Sequence, residues 1–341
     1  MGNHISARIG MVGAGVSSSQ VHLPVLAANS EVVIEWICDL DLEKAKSIAG
    51  RFAIPQTFAE IDQCPDVDIV AITTPLNMRS AAFSVSIDRR WHILIEKPFA
   101  KNLENHMTML GEAKTVGVEL GVMAQRRTYA QYHTASQLLR SGVLGPIRRV
   151  WAADADVERR SGIDGAQWIS RIIDPDTSTG GFLEETGWHL IDVVLQMVGA
   201  TKIEVNDAIM SGIDNIDTEV KAESHVVTET GNDFKMALRL SRSKDIRRGI
   251  RIECDRGIIE LGNYPSDKAV LKNTDDLYVC DLDQAHKFAR SSYAAAHQHW
   301  QAFIDQCKTQ IPSSASAESA LLTTQFIQDV KTKSSWEDCN G

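Results

Sequence analysis

Residues 179–199 read TGGFLEETGWHLIDVVLQMVG, an apolar run interrupted by Glu185, His189, Asp192 and Gln196. On a regular helix of 3.6 residues per turn these four fall within roughly a 60° arc of one face. A surface helix shows a wider polar face. A core helix avoids ionisable groups, because unpaired buried charge is costly. The stripe therefore requires partners from the rest of the chain. Its residue types suit proton transfer. A neutral imidazole titrates near neutrality and can take the proton of a hydroxyl as hydride leaves the same carbon. Glu185, one turn before His189, can orient the ring or bind a further hydroxyl.

A second reactive type stands in Ile95-Glu96-Lys97-Pro98-Phe99. A lysine at the carboxyl end of a parallel strand faces the crevice where such sheets bind ligands. Its ammonium can hydrogen-bond the same oxygen and stabilise developing alkoxide charge. Pro98 admits a cis bond there. By itself the tripeptide reads equally as a solvated lysine in a turn.

A third pattern is Gly13-Ala14-Gly15-Val16-Ser17-Ser18, directly after the apolar run Ile9–Val12. Two glycines at this spacing permit a tight turn that brings backbone N–H groups to a pyrophosphate at a helix N-terminus. Ser18 takes the place of the third glycine and is small enough for helix and strand to approach. Asp39 closes the second strand, where an acidic side chain accepts from ribose hydroxyls; Asp41 is the better cap for the helix that follows. Two carboxylates with no adjacent arginine repel a 2′-phosphate. The expected cofactor is NAD rather than NADP, with Lys44 nearby in sequence as the one opposing charge.

The elements that must carry these groups follow from periodicity. From Arg8 to about Met123, strands at Ile9–Val12, Val32–Cys38, Val67–Ile72, Ile93–Ile95 and Val118–Val122 alternate with helices at Gln20–Ala28, Leu42–Phe52, Met78–Ile87 and Leu103–Thr115. Continuous Val/Ile runs between helices mean a parallel sheet covered on both faces, a doubly wound α/β (Rossmann) domain. After Arg126 come a helix at Ala130–Ser141, a strand at Ile147–Val157 and the striped helix. Strands at Ile203–Met210, Glu219–Glu229, Phe234–Ser241, Gly249–Cys254, Gly257–Leu261 and Leu277–Leu282 suit a large, mostly antiparallel open sheet in an α+β domain. Two closing helices are expected at Ala294–Lys308 and Ala317–Thr332. The boundary is placed at 125/126, giving domains 1–125 and 126–341.

A chain of 341 residues exceeds one ordinary core, in keeping with two domains. The net charge of −10 argues against nucleic acid as a partner. The six cysteines are scattered without metal-ligand spacing, and no apolar run approaches a membrane span. The expectation is a cytoplasmic protein with no metal and no membrane partner.

Together the residues resemble the glucose–fructose oxidoreductase/inositol dehydrogenase (Gfo/Idh/MocA) family over nearly the whole chain. The matching features are the Gly-Ala-Gly turn, Thr73-Thr74-Pro75 after the strand Val67–Ile72, Glu96-Lys97-Pro98 and Gly142-Val143-Leu144-Gly145-Pro146-Ile147. Gly180-Gly181, Gly187-Trp188-His189-Leu190-Ile191-Asp192 and the late Pro312-Ser313-Ser314 segment complete the set. The resemblance implies that the striped helix lies beside the nicotinamide, across a cleft from the lysine. Lys97, Glu185 and His189 would then form the reacting group. Gly13, Gly15, Val16, Ser18, Asp39, Thr74, Pro75, Glu96 and Lys97 would serve the cofactor. The chain departs from the family at Glu185, where Asp is common, and at Arg79, where many members have His.

The family often places substrate contacts where the two domains join, here Gln125-Arg126-Arg127-Thr128-Tyr129. Arg126 and Arg127 read either as a clamp for a phosphate or carboxylate or as solvated linker charges. Tyr129, Trp168, Arg171 and Asp192 are further pocket candidates, Asp192 reading equally as a structural acceptor and Gln196 as structural. The leading function is oxidation or reduction of a sugar, sugar derivative or cyclitol, with Arg126, Arg127 and Arg171 pointing to an anionic group on it. The alternatives are an NAD-dependent glycosidase working by transient oxidation and a non-catalytic nucleotide-binding regulator. An open sheet face and the resemblance imply a homodimer or homotetramer.

Overall fold

A computed structural model describes residues 7–155, 181–213, 216–282 and 291–338. They divide into two compact units, Met1–Gln125 with Tyr293–Ala320 and Arg126–Ser292 with Leu321–Gly341.

The first unit holds six strands: β1 (Ala7–Val12), β2 (Val32–Cys38), β3 (Gln56–Phe58), β4 (Ile69–Ile72), β5 (His92–Ile95) and β6 (Leu120–Val122). All pair in parallel in the order β3-β2-β1-β4-β5-β6. The order reverses between β1 and β4, which opens a crevice beyond their carboxyl ends. β4 is buried at all four positions, as a strand covered on both faces must be. The connecting helices are α1 (Leu23–Ala27), α2 (Leu42–Phe52), α3 (Ser80–Asp88) and α4 (Leu103–Val116). Asp41 caps α2, accepting from the Lys44 N–H at 3.1 Å. Asp39 is thereby left for the glycine turn.

The second unit is built on nine strands: β7 (Ile147–Ala155), β8 (Ala200–Ile213), β9 (Ile216–Thr228), β10 (Asp233–Ser241), β11 (Gly249–Cys254), β12 (Gly257–Leu261), β13 (Ala269–Lys272), β14 (Tyr278–Asp281) and β15 (Ser335–Asp338). Their order is β14-β13-β12-β11-β7-β10-β9-β8-β15. Pairing is antiparallel except between β7 and β10 and between β8 and β15. Four more helices lie among the described residues: α5 (Ala130–Arg140), α6 (Trp188–Val198), α7 (Ser292–Thr309) and α8 (Leu321–Lys333). α6 packs against α5 and α8, with α5 on β12, α6 on β7 and β8, and α8 on β8. α6 is buried all round save Gln196, the state its apolar composition requires.

α7 lies late in sequence but belongs to the first unit. Its Ala296, Trp300, Phe303 and Ile304 share one core with Ile9, Met11, Leu94 and Met123. A single cut at 125/126 therefore does not describe the units: the segment Tyr293–Ala320 completes the parallel domain. No described helix is long and apolar enough to cross a membrane.

Phe303 is fully buried in that shared core. Phe303→Ala should destabilise the first unit by about 3–5 kcal/mol, read by urea unfolding. A loss below about 1 kcal/mol would show that α7 contributes little to that core.

Candidate active site

At the end of β1 the chain turns at Gly13, whose φ of +100 is left-handed. A Cβ there would stand 2.8 Å from Thr73 Oγ1, so space and backbone both require glycine. A Cβ on Gly15 would meet nothing within 4 Å, which leaves the backbone of the turn open on that side. A helical run follows, wound as a wide π-type turn over Ser18–His22 before α1. Ser18 is fully buried, and its hydroxyl donates to the Gly13 carbonyl and shares a 2.6 Å hydrogen bond with Thr73 Oγ1. Ser18 thus holds the turn from behind. Val16 is half-exposed at its rim.

The Asp39 carboxylate accepts from Ala14 N at 2.6 Å and from Asp41 N at 3.0 Å, with Lys44 Nζ 4.0 Å away. Its remaining lone pairs can accept ribose hydroxyls. Thr74 Oγ1 is buried without a hydrogen-bond partner among the described residues, and its methyl group lies against Gly13. An open glycine turn, an unsatisfied hydroxyl and a terminal carboxylate on one sheet edge fit a dinucleotide.

The Lys97 turn, next along the same edge, is braced from two sides. The Lys97–Pro98 bond is cis. Glu96 is buried; its Oε2 accepts the Lys97 N–H at 3.0 Å and its Oε1 pairs with His22 Nε2 at 2.9 Å. The Trp300 indole, a donor only, bonds His22 Nδ1 at 3.2 Å, so Nε2 carries the proton toward Glu96. Burial pushes the Glu96 carboxyl up, but the His22 hydrogen bond and the charges of Lys97 and Arg79 outweigh it and hold the group below its ordinary range. On the other side Arg79, buried at 5% exposure, donates from Nε to the Thr74 carbonyl at 2.9 Å. Its Nη1 donates to the Glu96 carbonyl at 2.7 Å and to the Pro98 carbonyl. Sequence reading noted Arg79 only as a family departure; a lone arginine among the small residues opening α3 was the available signal.

In the second unit the chain enters α6 through a wide π-type turn over Leu183–Gly187, a form that recurs at functional sites. It breaks the regular register assumed for the stripe. Glu184, passed over in sequence, is buried and bonds Lys331 Nζ at 2.6 Å. Glu185 is one-third exposed, with Arg242 Nη2 4.0 Å from its carboxylate. His189 is buried at 8% exposure, its ring edge-on to Trp188.

Asp192 answers the question its burial raises. Arg127 donates to it from Nε at 2.7 Å and from Nη2 at 2.5 Å, and the Thr323 hydroxyl adds a bond at 3.2 Å. The pair is buried at 4% and 1% side-chain exposure. Asp192 is therefore a structural acceptor. Arg127 is neither an anion clamp nor a solvated linker charge, because a bidentate buried carboxylate occupies it. Arg126 likewise faces a carboxylate, Asp154 at 3.7 Å, and lies over the Tyr264 ring. Burial pushes the Asp154 carboxyl up, and Arg126 offsets this only in part. Tyr129 is buried, stacked on Tyr132, with its hydroxyl 3.4 Å from Ser292 Oγ. Trp168, Arg171 and Gly180 lie outside the described residues.

Comparison with known proteins places this geometry in a family. Residues 7–124 match the model for the oxidoreductase family with NAD-binding Rossmann fold, and residues 132–260 match the Gfo/Idh/MocA C-terminal domain. The chain belongs to the Gfo/Idh/MocA oxidoreductase family. It is similar to scyllo-inositol 2-dehydrogenase (NADP(+)) IolW of Bacillus subtilis, 26% identical over 62% of this chain and 57% of that protein. The chain spans about half the length of the relatives it matches. In fold it is similar to an Agrobacterium radiobacter oxidoreductase in complex with NAD+, L-tartaric acid and magnesium, at a TM-score of 0.79 and 16% identity, covering 96% of both chains. It is also similar to KijD10, a 3-ketoreductase from Actinomadura kijaniata in complex with TDP-benzene and NADP, at a TM-score of 0.78 and 17% identity, covering 98% of this chain and 99% of that one.

The turn into α6 is anchored by Asp217, which accepts the Leu183 N–H at 2.7 Å. A Cβ on Gly181 would stand 2.0 Å from Asp217 Oδ1, so the carboxylate fills the space a side chain would take. Burial pushes the Asp217 carboxyl up to about 6, opposed by the Leu183 N–H and Lys331. Its folded-state proton is held more tightly than in the unfolded chain. The stability this contributes is complete below the ordinary Asp range and is lost as pH rises through about 6. Asp217→Asn keeps an acceptor for Leu183 and should remove that slope, gaining stability over the parent above the transition. Unfolding at a series of pH values measures it, and an identical slope in the variant would show that Asp217 does not titrate there.

Proposed function

We propose that the chain is an NAD-dependent dehydrogenase or reductase that transfers hydride between nicotinamide and a secondary alcohol or ketone of a sugar, sugar derivative or cyclitol. The observation that carries this reading is Lys97, held by its backbone at the carboxyl end of β5 on the same sheet edge as the open Gly13–Gly15 turn. The names of IolW and KijD10, acting on a cyclitol and as a 3-ketoreductase, support the substrate class. NAD, when bound, accepts or returns the hydride. The backbone of Gly13–Val16, Asp39 and Thr74 would hold it, with Pro75 and the Glu96 brace shaping the edge. The chain itself moves the proton: His189 takes it from the hydroxyl. The Lys97 ammonium is suited to hydrogen-bond a substrate oxygen and stabilise its developing charge. Glu185 orients the imidazole or binds a neighbouring hydroxyl, with Arg242 holding its charge. The open sheet ends in β14, where Tyr278 and Val279 are exposed beside Leu277, and this supports self-association as a dimer or tetramer.

Preference for NAD over NADP rests on Asp39, whose carboxylate repels a 2′-phosphate. Isothermal titration should show tighter binding of NAD, and Asp39→Ala should narrow the gap. Tighter binding of NADP by the parent would transfer the assignment to Lys44 as a phosphate contact.

Lys97→Met and His189→Ala should each lower turnover by about 10²–10⁴, the loss typical of a positioned acid or base, while NAD affinity changes little. The assay is NADH formation across a sugar and cyclitol panel, with melts to confirm folding. Near-parental turnover in His189→Ala would sink its role as base.

A further inference from the structure

We infer that Arg79 is a positioning residue for Lys97, an inference that rests on the reading of Lys97 as the group acting at the substrate oxygen. Lys97 is attached through two peptide groups, and both are held. Glu96 Oε2 takes the Lys97 N–H at 3.0 Å. Arg79 takes the carbonyls on either side, Glu96 O at 2.7 Å and Pro98 O, while its Nη2 faces the Lys97 carbonyl at 3.5 Å. Fixing the peptide planes around a Cα fixes the Cα–Cβ direction, and with it where the side chain starts. The same guanidinium reaches the Thr74 carbonyl at 2.9 Å, so it ties the β4 loop to the Lys97 turn.

The burial of Arg79 gives this arrangement its physical reason. Among the described residues no carboxylate hydrogen-bonds it; its hydrogen bonds go to peptide oxygens beyond the ends of the β4 and β5 ladders. A buried carbonyl without a donor costs about 1–3 kcal/mol. Only a planar fork of five N–H donors serves several such oxygens at once, and a lysine ammonium lacks that geometry. Burial lowers the guanidinium only to about 10, so it remains charged at neutral pH.

The test uses Arg79→Lys and Arg79→Gln in the full chain. Reductive methylation with formaldehyde and borane, followed by peptide mass, gives the labelling rate of Lys97 relative to the internal controls Lys101 and Lys114. Melting temperature, NAD affinity and turnover are read beside it. The expected result is a severalfold change in the Lys97 ratio in both variants, nearly unchanged NAD affinity and a turnover loss of about 10²-fold, the scale of a small misplacement. Arg79→Lys should not rescue, because it restores charge without the fork. Unchanged Lys97 ratios in folded variants would overturn the inference, as would failure of both variants to fold, which would assign Arg79 to domain stability alone. Full turnover in Lys97→Met would defeat the reading of Lys97 instead, and the labelling ratio would still report on Arg79.

Discussion

A parallel sheet ends its strands in loops whose peptide groups have lost their ladder partners, and at a ligand-binding edge those loops cannot be allowed to collapse or drift. That constraint organises the first unit. Each turn on the edge is held by a side chain reaching from elsewhere: Ser18 and Thr73 behind Gly13, Asp39 on Ala14, Glu96 and Arg79 around Lys97. These bonds leave the outward side of the glycine turn open while fixing its backbone. The edge is thus fixed by hydrogen bonds within the protein itself.

The second unit meets a different form of the same problem. α6 is too apolar to be a surface helix, yet it carries His189 and Asp192 into the interior. Burial of a charge is tolerable when a partner is buried with it. Arg127 is buried with Asp192, the more exposed Lys331 reaches in to Glu184, and Asp217 satisfies the backbone where the chain enters the helix. Such pairs add little net stability over an apolar core, but each ties the α6 region to a fixed partner. The reactive candidate His189 thus sits on an element whose rotation is set by its ionic neighbours.

How much of this was legible in sequence follows from the range of the forces involved. Apolar runs with period and length determined β2, β11, β12 and α2 to the residue, because propensity, burial and capping act locally and agree there. The glycine turn, the Lys97 turn and the His189 helix were legible because each needs particular residue types at short spacing. β3, β13 and β15 were not, being three- or four-residue strands with too few positions to show an alternation.

Tertiary structure decided the rest. Arg127 and Asp192 lie 65 residues apart; sequence showed that the striped helix needed partners and left Arg127 between an anion clamp and a linker charge, since carboxylates and guanidiniums are interchangeable until the fold brings two together. α7 carried an ordinary amphipathic pattern, and only packing showed that its apolar face completes the core of the first unit. The wide turn before α6 inserted a residue that periodicity could not foresee, exchanging Glu185 for Glu184 at the buried position. Arg79 stood in sequence only as a departure from the family, and became a buried brace because the loops that need its donors meet only in the folded sheet. The sequence by itself determined which chemistry the chain carries and which elements bear it, through local periodicity and residue type; which charges are spent on holding the elements was decided by long-range contact alone.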